Sequence, residues 1–128
     1  MLPKTLRRFP QRTITAIDTG KILGIRAGKG PHRFIGIWVV VVENRVFVRS
    51  WSSKPGGWYM TLLEDPQCTI KVGNRSIAAR AVRTRSSRLK DAVSHAYREK
   101  YNTPGSLKYV QGFKLPKRKN TTSELVPA

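Results

Sequence analysis

The sequence predicts an α+β fold, a small antiparallel barrel of about six strands with two to four helices, and three observations predict it. Two segments carry hairpin signatures, one turning at Glu43-Asn44 and one at Gly73-Asn74. Segments with helical spacing lie between and after them, so helices interrupt a run of antiparallel pairs. The run Phe34-Ile35-Gly36-Ile37-Trp38-Val39-Val40-Val41-Val42 is apolar on both faces and needs cover on both, which a half-exposed meander does not provide. Together these give the order helix, about three strands, helix, two strands, helix, strand, in which a barrel closes its own edges.

At 128 residues the chain suits one domain, with a basic arm over 1–9 and the folded unit over 10–128. Pro10 to Asp18, closed by Gly20, has a weak apolar side of Phe9, Ile14 and Ile17 and reads as a short helix. Lys21 to Arg26 is a strand with imperfect alternation, and Gly28-Lys29-Gly30-Pro31 is a loop. Arg33 to Val42 is the clearest strand, with Arg45 to Trp51 as its partner. Trp58 to Glu64 follows helical spacing and stops at Asp65-Pro66. Thr69 to Val72 and Ser76 to Val82 make the second hairpin, with Ile70, Val72, Ile77, Ala79 and Ala81 facing inward. Ser87 is the candidate N-cap of the longest helix, Arg88 to Tyr101, with Asp91 in its first turn and Lys100 in its last. Thr103-Pro104-Gly105 ends it. Ser106 to Phe113 is a short helix or an irregular packed segment, Lys114 to Lys119 a basic loop, and Thr121 to Val126 a last strand.

Charge dominates the composition. Twenty-five Lys and Arg against seven acids leave a net charge of +18, a field that attracts nucleic acid, acidic surfaces or phosphorylated small molecules. The excess is spread along the chain, with one dense block at Lys114–Lys119. The longest apolar stretch is far short of the roughly twenty residues a membrane helix needs. No unbroken apolar stretch follows the basic N-terminus, so a soluble cytoplasmic protein is the expectation. The single cysteine, Cys68, has no partner for an internal disulfide and reads as a buried thiol; no Cys/His cluster suggests a metal.

Side-chain catalysts are scarce. His32 and His95 are the two histidines, His95 falls opposite the apolar stripe of the long helix, and no paired carboxylates stand where acid–base chemistry needs them. The segment from Arg49 to Tyr59 is the most informative. A strand ends in Ser50, Ser52 and Lys54, Gly56-Gly57 permits close backbone approach, and a helix begins, a combination suited to phosphate. Trp51, Trp58 and Tyr59 can wall a flat ring. The same residues also fit a plain strand-to-helix turn with core aromatics, and both readings stand at this point. Arg26 to Arg33 is a glycine-rich basic loop that faces the same anion if the first hairpin brings it round.

Ile37 to Val42, Val46-Phe47-Val48-Arg49-Ser50-Trp51, Gly57-Trp58-Tyr59, Ala96 to Tyr101 and Thr121 to Pro127 together resemble a family of small bacterial domain-of-unknown-function proteins grouped with the FMN-binding split-barrel superfamily. The similarity covers about residues 10–127. Ser50, Lys54, Trp58-Tyr59 and Asp65-Pro66 are also similar in spacing to the deazaflavin-dependent nitroreductases. The resemblance implies a split barrel and an FMN or deazaflavin coenzyme, whose groove Arg33, Arg49, Ser50, Ser52, Lys54, Gly57, Trp58 and Tyr59 would line, joined by Trp51 from the reading above. It further implies an oxidoreductase acting on a small organic substrate, with hydride chemistry carried by the cofactor. The chain departs from the relatives at Ala27-Gly28, where they have a hydroxyl before the glycine, and at Thr61, where they have Asn. A homodimer is expected if the fold follows the flavin-binding branch; nucleic-acid binding through the net charge and a cofactor-free structural barrel remain as alternatives.

Overall fold

The computed structural model describes residues 8–28 and 33–128. Most of the basic arm and the Lys29–His32 part of the first loop lie outside them. Among the described residues five helices and seven strands follow in order: α1 (Gln11–Thr19), β1 (Leu23–Ala27), β2 (Ile35–Ile37), β3 (Val39–Val42), β4 (Arg45–Val48), α2 (Trp58–Glu64), β5 (Gln67–Val72), β6 (Arg75–Arg83), α3 (Ser87–Lys100), α4 (Leu107–Phe113), α5 (Pro116–Lys119) and β7 (Ser123–Pro127).

All pairings are antiparallel, in the order β2-β1-β5-β6-β7-β4-β3. This order forces curvature. In a flat seven-strand sheet β2 and β3 would stand about 29 Å apart, at 4.8 Å per strand. They are joined by one residue, Trp38, which spans at most about 7 Å between its neighbours. The sheet therefore curls until its two edges meet, giving a nearly closed barrel split at Trp38. The long apolar run, which periodicity reads as one strand, is thus two, because the chain changes edges in its middle.

Alternation sorts the side chains. Leu23, Ile25, Val39, Val46, Val48, Ile70, Ala79 and Leu125 point into the barrel, joined by Ile14 and Ile17 of α1 and Leu62 of α2. Val72, Ile77 and Ala81 pack against the same core, as the inward set of the second hairpin requires. On the other face Val40 and Phe47 meet Leu89, Val93 and Tyr97 of α3, with Val110 and Phe113 of α4. The outer cover that β3 needs comes from α3 within the same chain.

Local chemistry explains where the elements begin and end. Glu43 and Asn44 both take positive φ, 53° and 63°, as a two-residue hairpin turn of matching twist demands. Glu43 pairs with Arg88 at 2.6 Å, and the Asn44 side-chain amide donates to Gln11 at 2.9 Å. The cap of α3 is Ser86 rather than Ser87: its backbone is extended, and its Oγ accepts the Leu89 N–H at 3.2 Å. That shift leaves the first turn without an acid, and Asp91 instead pairs with Lys119. β4 stops at Val48, short of Trp51, because the Ser50 N–H donates to the Thr121 hydroxyl (2.8 Å) instead of continuing a ladder. Part of the expected basic loop winds into α5, which opens on Pro116.

Cys68 is 4% exposed, and burial pushes its thiol up to about 11. A thiol reagent at mild alkaline pH is expected to leave the folded protein unmodified over hours and to titrate one thiol immediately in denaturant. Rapid modification of the native state, followed by absorbance, would contradict this burial. Among the described residues no helix is long and apolar enough to cross a membrane.

Candidate functional site

A groove of about 540 Å³ opens beside the barrel split. One wall comes from β2 (Ile35, Ile37) and from Ile22, just ahead of β1, and the break residue Trp38 lines the groove with them. The opposite side is the connection from β4 to α2, with Ser50, Trp51, Ser52, Lys54, Gly57 and Trp58. Tyr109 and Phe113 of α4 complete it. This is a mostly apolar, concave space with a few polar groups at one side, within the size range of small-ligand sites.

The aromatic walls are fixed from behind. Trp38 stacks on Tyr101, with centroids 4.0 Å apart and planes 7° off parallel. Tyr101 is held in turn, its hydroxyl accepting the Val39 N–H at 3.0 Å and donating to the Lys21 carbonyl at 2.7 Å. Burial pushes this phenol up to about 12. Trp51 carries the Arg118 guanidinium 3.6 Å from its ring centroid, and Arg118 Nε also donates to the Trp51 carbonyl at 2.9 Å. Tyr109 and Phe113 meet the Trp51 ring edge-on, each at 5.4 Å. Its Cη2 edge lies where a β-carbon on Gly112 would sit, 2.4 Å from the ideal position, so α4 admits this tryptophan only because residue 112 has no side chain. Trp51 and Trp58 line the space and leave it open.

The polar side is a tight loop. The Lys54 N–H donates to Ser52 Oγ at 3.1 Å, and the Gly57 N–H to the Lys54 carbonyl at 3.2 Å. Gly56 takes φ 82°, which favours glycine. The Ser50 hydroxyl is spent on the Ser52 carbonyl. Ser52 Oγ, accepting from the Lys54 backbone N–H, keeps its own proton to donate, and the Lys54 side chain is exposed on the same loop.

Of the nine residues nominated from sequence, the structure brings Arg49, Ser50, Trp51, Ser52, Lys54, Gly57 and Trp58 to this groove. Arg33 is exposed and does not line it. Tyr59 is buried and borders a different cleft beside β6, since neighbouring helix positions point about 100° apart and only one of Trp58 and Tyr59 can face the groove. Arg49 reaches the groove wall, but its guanidinium is engaged elsewhere. Nε donates to Thr122 Oγ (2.8 Å), Nη1 to Ser94 Oγ (2.9 Å) and the Phe113 carbonyl (3.0 Å), and Nη2 to the Lys90 carbonyl (2.7 Å). Burial draws its pKa down to about 10, still far above neutrality, so it is charged at pH 7.

Sequence reasoning did not nominate Ile22, Ile35, Ile37, Tyr109 or Phe113. The i,i+4 spacing of Tyr109 and Phe113 on one helix face was their available signal. Lys119 of the basic block is paired with Asp91, and Arg118 is stacked on Trp51, so that block is partly consumed in packing.

The fold has known counterparts. A conserved hypothetical protein from Mycobacterium tuberculosis matches with a TM-score of 0.56 at 13% identity, over 100% of this chain and 81% of its own. A candidate pyridoxamine 5'-phosphate oxidase from Listeria innocua matches with a TM-score of 0.57 at 10% identity, over 89% and 87%. A NimC/NimA family protein from Clostridium acetobutylicum gives 0.55 at 12%, over 92% and 78%. At such identities the likeness is one of fold, a split barrel. No curated protein matches the sequence. Residues 12–125 match the family described as "Uncharacterized protein conserved in bacteria (DUF2255)", and the chain belongs to that family.

Proposed function

We propose that the groove binds a planar phosphorylated coenzyme of the flavin type, FMN or a deazaflavin, and that the protein is an oxidoreductase acting on a small organic substrate. The observation that carries this reading is the groove of about 540 Å³ walled by Trp38, Trp51 and Trp58, with Lys54 and Ser52 at one side. The donor set fits such a group: flat aromatic faces suit a ring system, and an ammonium and a hydroxyl on one loop suit a phosphate. When bound, a ring of this type supplies hydride transfer. The chain's own part is to hold the ring between preorganised walls, anchor the phosphate at Lys54 and Ser52, and keep water from the apolar side. The solved structure of the same fold named for pyridoxamine 5'-phosphate, itself a phosphorylated aromatic ring, supports the ligand class.

The test is a titration of the purified protein with FMN and with a deazaflavin coenzyme, read by tryptophan fluorescence and by the absorbance of the retained chromophore. One of the two is expected to quench the tryptophans saturably. Lys54→Glu is expected to weaken that binding roughly ten- to a hundredfold, the loss of one charge-assisted hydrogen bond of about 1.5–3 kcal/mol. A protein whose fluorescence is indifferent to both cofactors, or a Lys54→Glu variant that binds as wild type, would overturn the assignment.

A further inference from the structure

The outer side of β6 and β7 carries a second groove, of about 690 Å³, which shares no lining residue with the aromatic one. Arg80, Arg83 and Arg85 line it, and all three are exposed. Among the described residues no acidic side chain forms an ion pair with any of them. The one acidic side chain lining the groove, Glu124, has both oxygens taken by Arg45, at 2.7 and 3.0 Å. Arg80 shares the outer face of β6 with Val82, Arg83 and Arg85 line the same groove at the strand's end and just past it, and the Ala128 terminus lines it too. Val82 is 45% exposed.

Their spacing selects the ligand. Arg80 and Arg83 lie three residues apart in β6 and Arg85 two residues past its end, so the backbone from Arg80 to Arg85 spans up to about 16 Å at 3.3 Å per residue. A single phosphate group cannot engage all three, whereas a nucleic-acid strand, rising about 3.4 Å per nucleotide, presents several phosphates over that length. A concave groove admits a strand and holds its arginines back from the plane of a lipid surface. We propose that this groove is a second binding site, for the phosphodiester backbone of a nucleic acid, contacted by Arg80, Arg83 and Arg85. The site reads charge and spacing rather than bases, so its affinity is independent of sequence and steeply dependent on salt.

The test measures fluorescence anisotropy of a labelled single-stranded oligonucleotide, and of its duplex, across a salt series. Wild type is compared with the triple variant R80Q/R83Q/R85Q and with an equal-charge control, R98Q/K114Q/K117Q, built on exposed residues elsewhere. The arginine triple is expected to lower the slope of log affinity against log salt by about two to three and to weaken binding roughly ten- to a hundredfold near 0.1 M salt. The control is expected to lose far less, and R80K/R83K/R85K to keep the slope. Whichever nucleic-acid form binds more tightly is the ligand the groove accommodates. Unchanged melting temperature and unchanged cofactor titration in the arginine triple separate this result from misfolding and from the aromatic groove. Equal losses in triple and control, no binding by wild type, or binding to anionic-lipid vesicles but not to oligonucleotides would each overturn the proposal.

Discussion

Replacing Gly112 by alanine is expected to cost the aromatic groove roughly ten- to a hundredfold in ligand affinity while leaving the protein folded. Alanine in a helix gains up to about 1 kcal/mol over glycine. Its β-carbon, however, would fall 2.4 Å from Trp51 Cη2 and 2.6 Å from Cζ3, far inside contact distance. Overpacking a fixed neighbour costs about 1–3 kcal/mol, but Trp51 is 43% exposed and can swing outward instead. Doing so gives up the Arg118 stack, a cation–π contact of about 0.5–1 kcal/mol, and the edge-on contacts with Tyr109 and Phe113, each worth about 0.5–1.5 kcal/mol. The net loss of stability is then about 1–3 kcal/mol, a melting shift of up to about 15 °C. The ligand, in contrast, loses a wall outright, and stacking on an aromatic side chain contributes about 1–3 kcal/mol. Trp51→Ala should match Gly112→Ala in affinity, and the double variant should be no worse than either, because both act through one ring. A Gly112→Ala protein that binds as wild type, or a double variant with additive losses, would show that Trp51 is not a wall of the site.

The same residues show what a sequence discloses. The hairpin at Glu43-Asn44 and the inward set Ile70, Val72, Ile77, Ala79 and Ala81 were legible because turn chemistry and period-two alternation are local. The segment from Ser50 to Trp58 was legible for a similar reason: it is contiguous, and its hydroxyls, lysine, glycines and tryptophans arrive within nine residues. The break at Trp38 was not, since a continuous apolar run has no period in which a change of sheet edge could register. Its cause is the pairing of β2 with β1 and of β3 with β4, which lie on opposite sides of it in the chain. The α4 wall and the role of Gly112 were hidden likewise. They depend on a contact between residues 51 and 112, and a glycine in a helical segment carries no mark of what it makes room for. Tyr59 was grouped with Trp58 because adjacency in sequence looks like adjacency in space, which a helix denies.

Arg49 is the case in which sequence and structure assign opposite duties to one side chain, and the largest loss of stability is expected there. A cation at the end of a strand, ahead of hydroxyls and a lysine, reads as a phosphate ligand. In the fold it is 2% exposed and makes four hydrogen bonds that tie β4 to α3, α4 and the start of β7. The Phe113 carbonyl it holds belongs to the last turn of α4, where carbonyls lack helical partners and a positive charge is favourable. Arg49→Met leaves these acceptors without their donor and is expected to destabilise the fold by about 3–5 kcal/mol, out of a total of roughly 5–15. Lysine has the charge but not the fork, so Arg49→Lys should recover only part of this. The pH dependence follows from the sign of the shift. The folded pKa, about 10, lies below the ordinary value of 12.5, so folding disfavours the charged form. That cost is constant while both states keep the proton and shrinks only as pH rises through about 10, so Arg49 adds no slope across the neutral range. Urea unfolding of the variants should show a lowered midpoint with an unchanged m-value. Ligand affinity should fall with it, because Tyr109 and Phe113 ride on the helix that Arg49 anchors. An Arg49→Met protein with a wild-type midpoint and no ligand binding would return the guanidinium to the ligand, and the four internal hydrogen bonds would then be no more than its resting place.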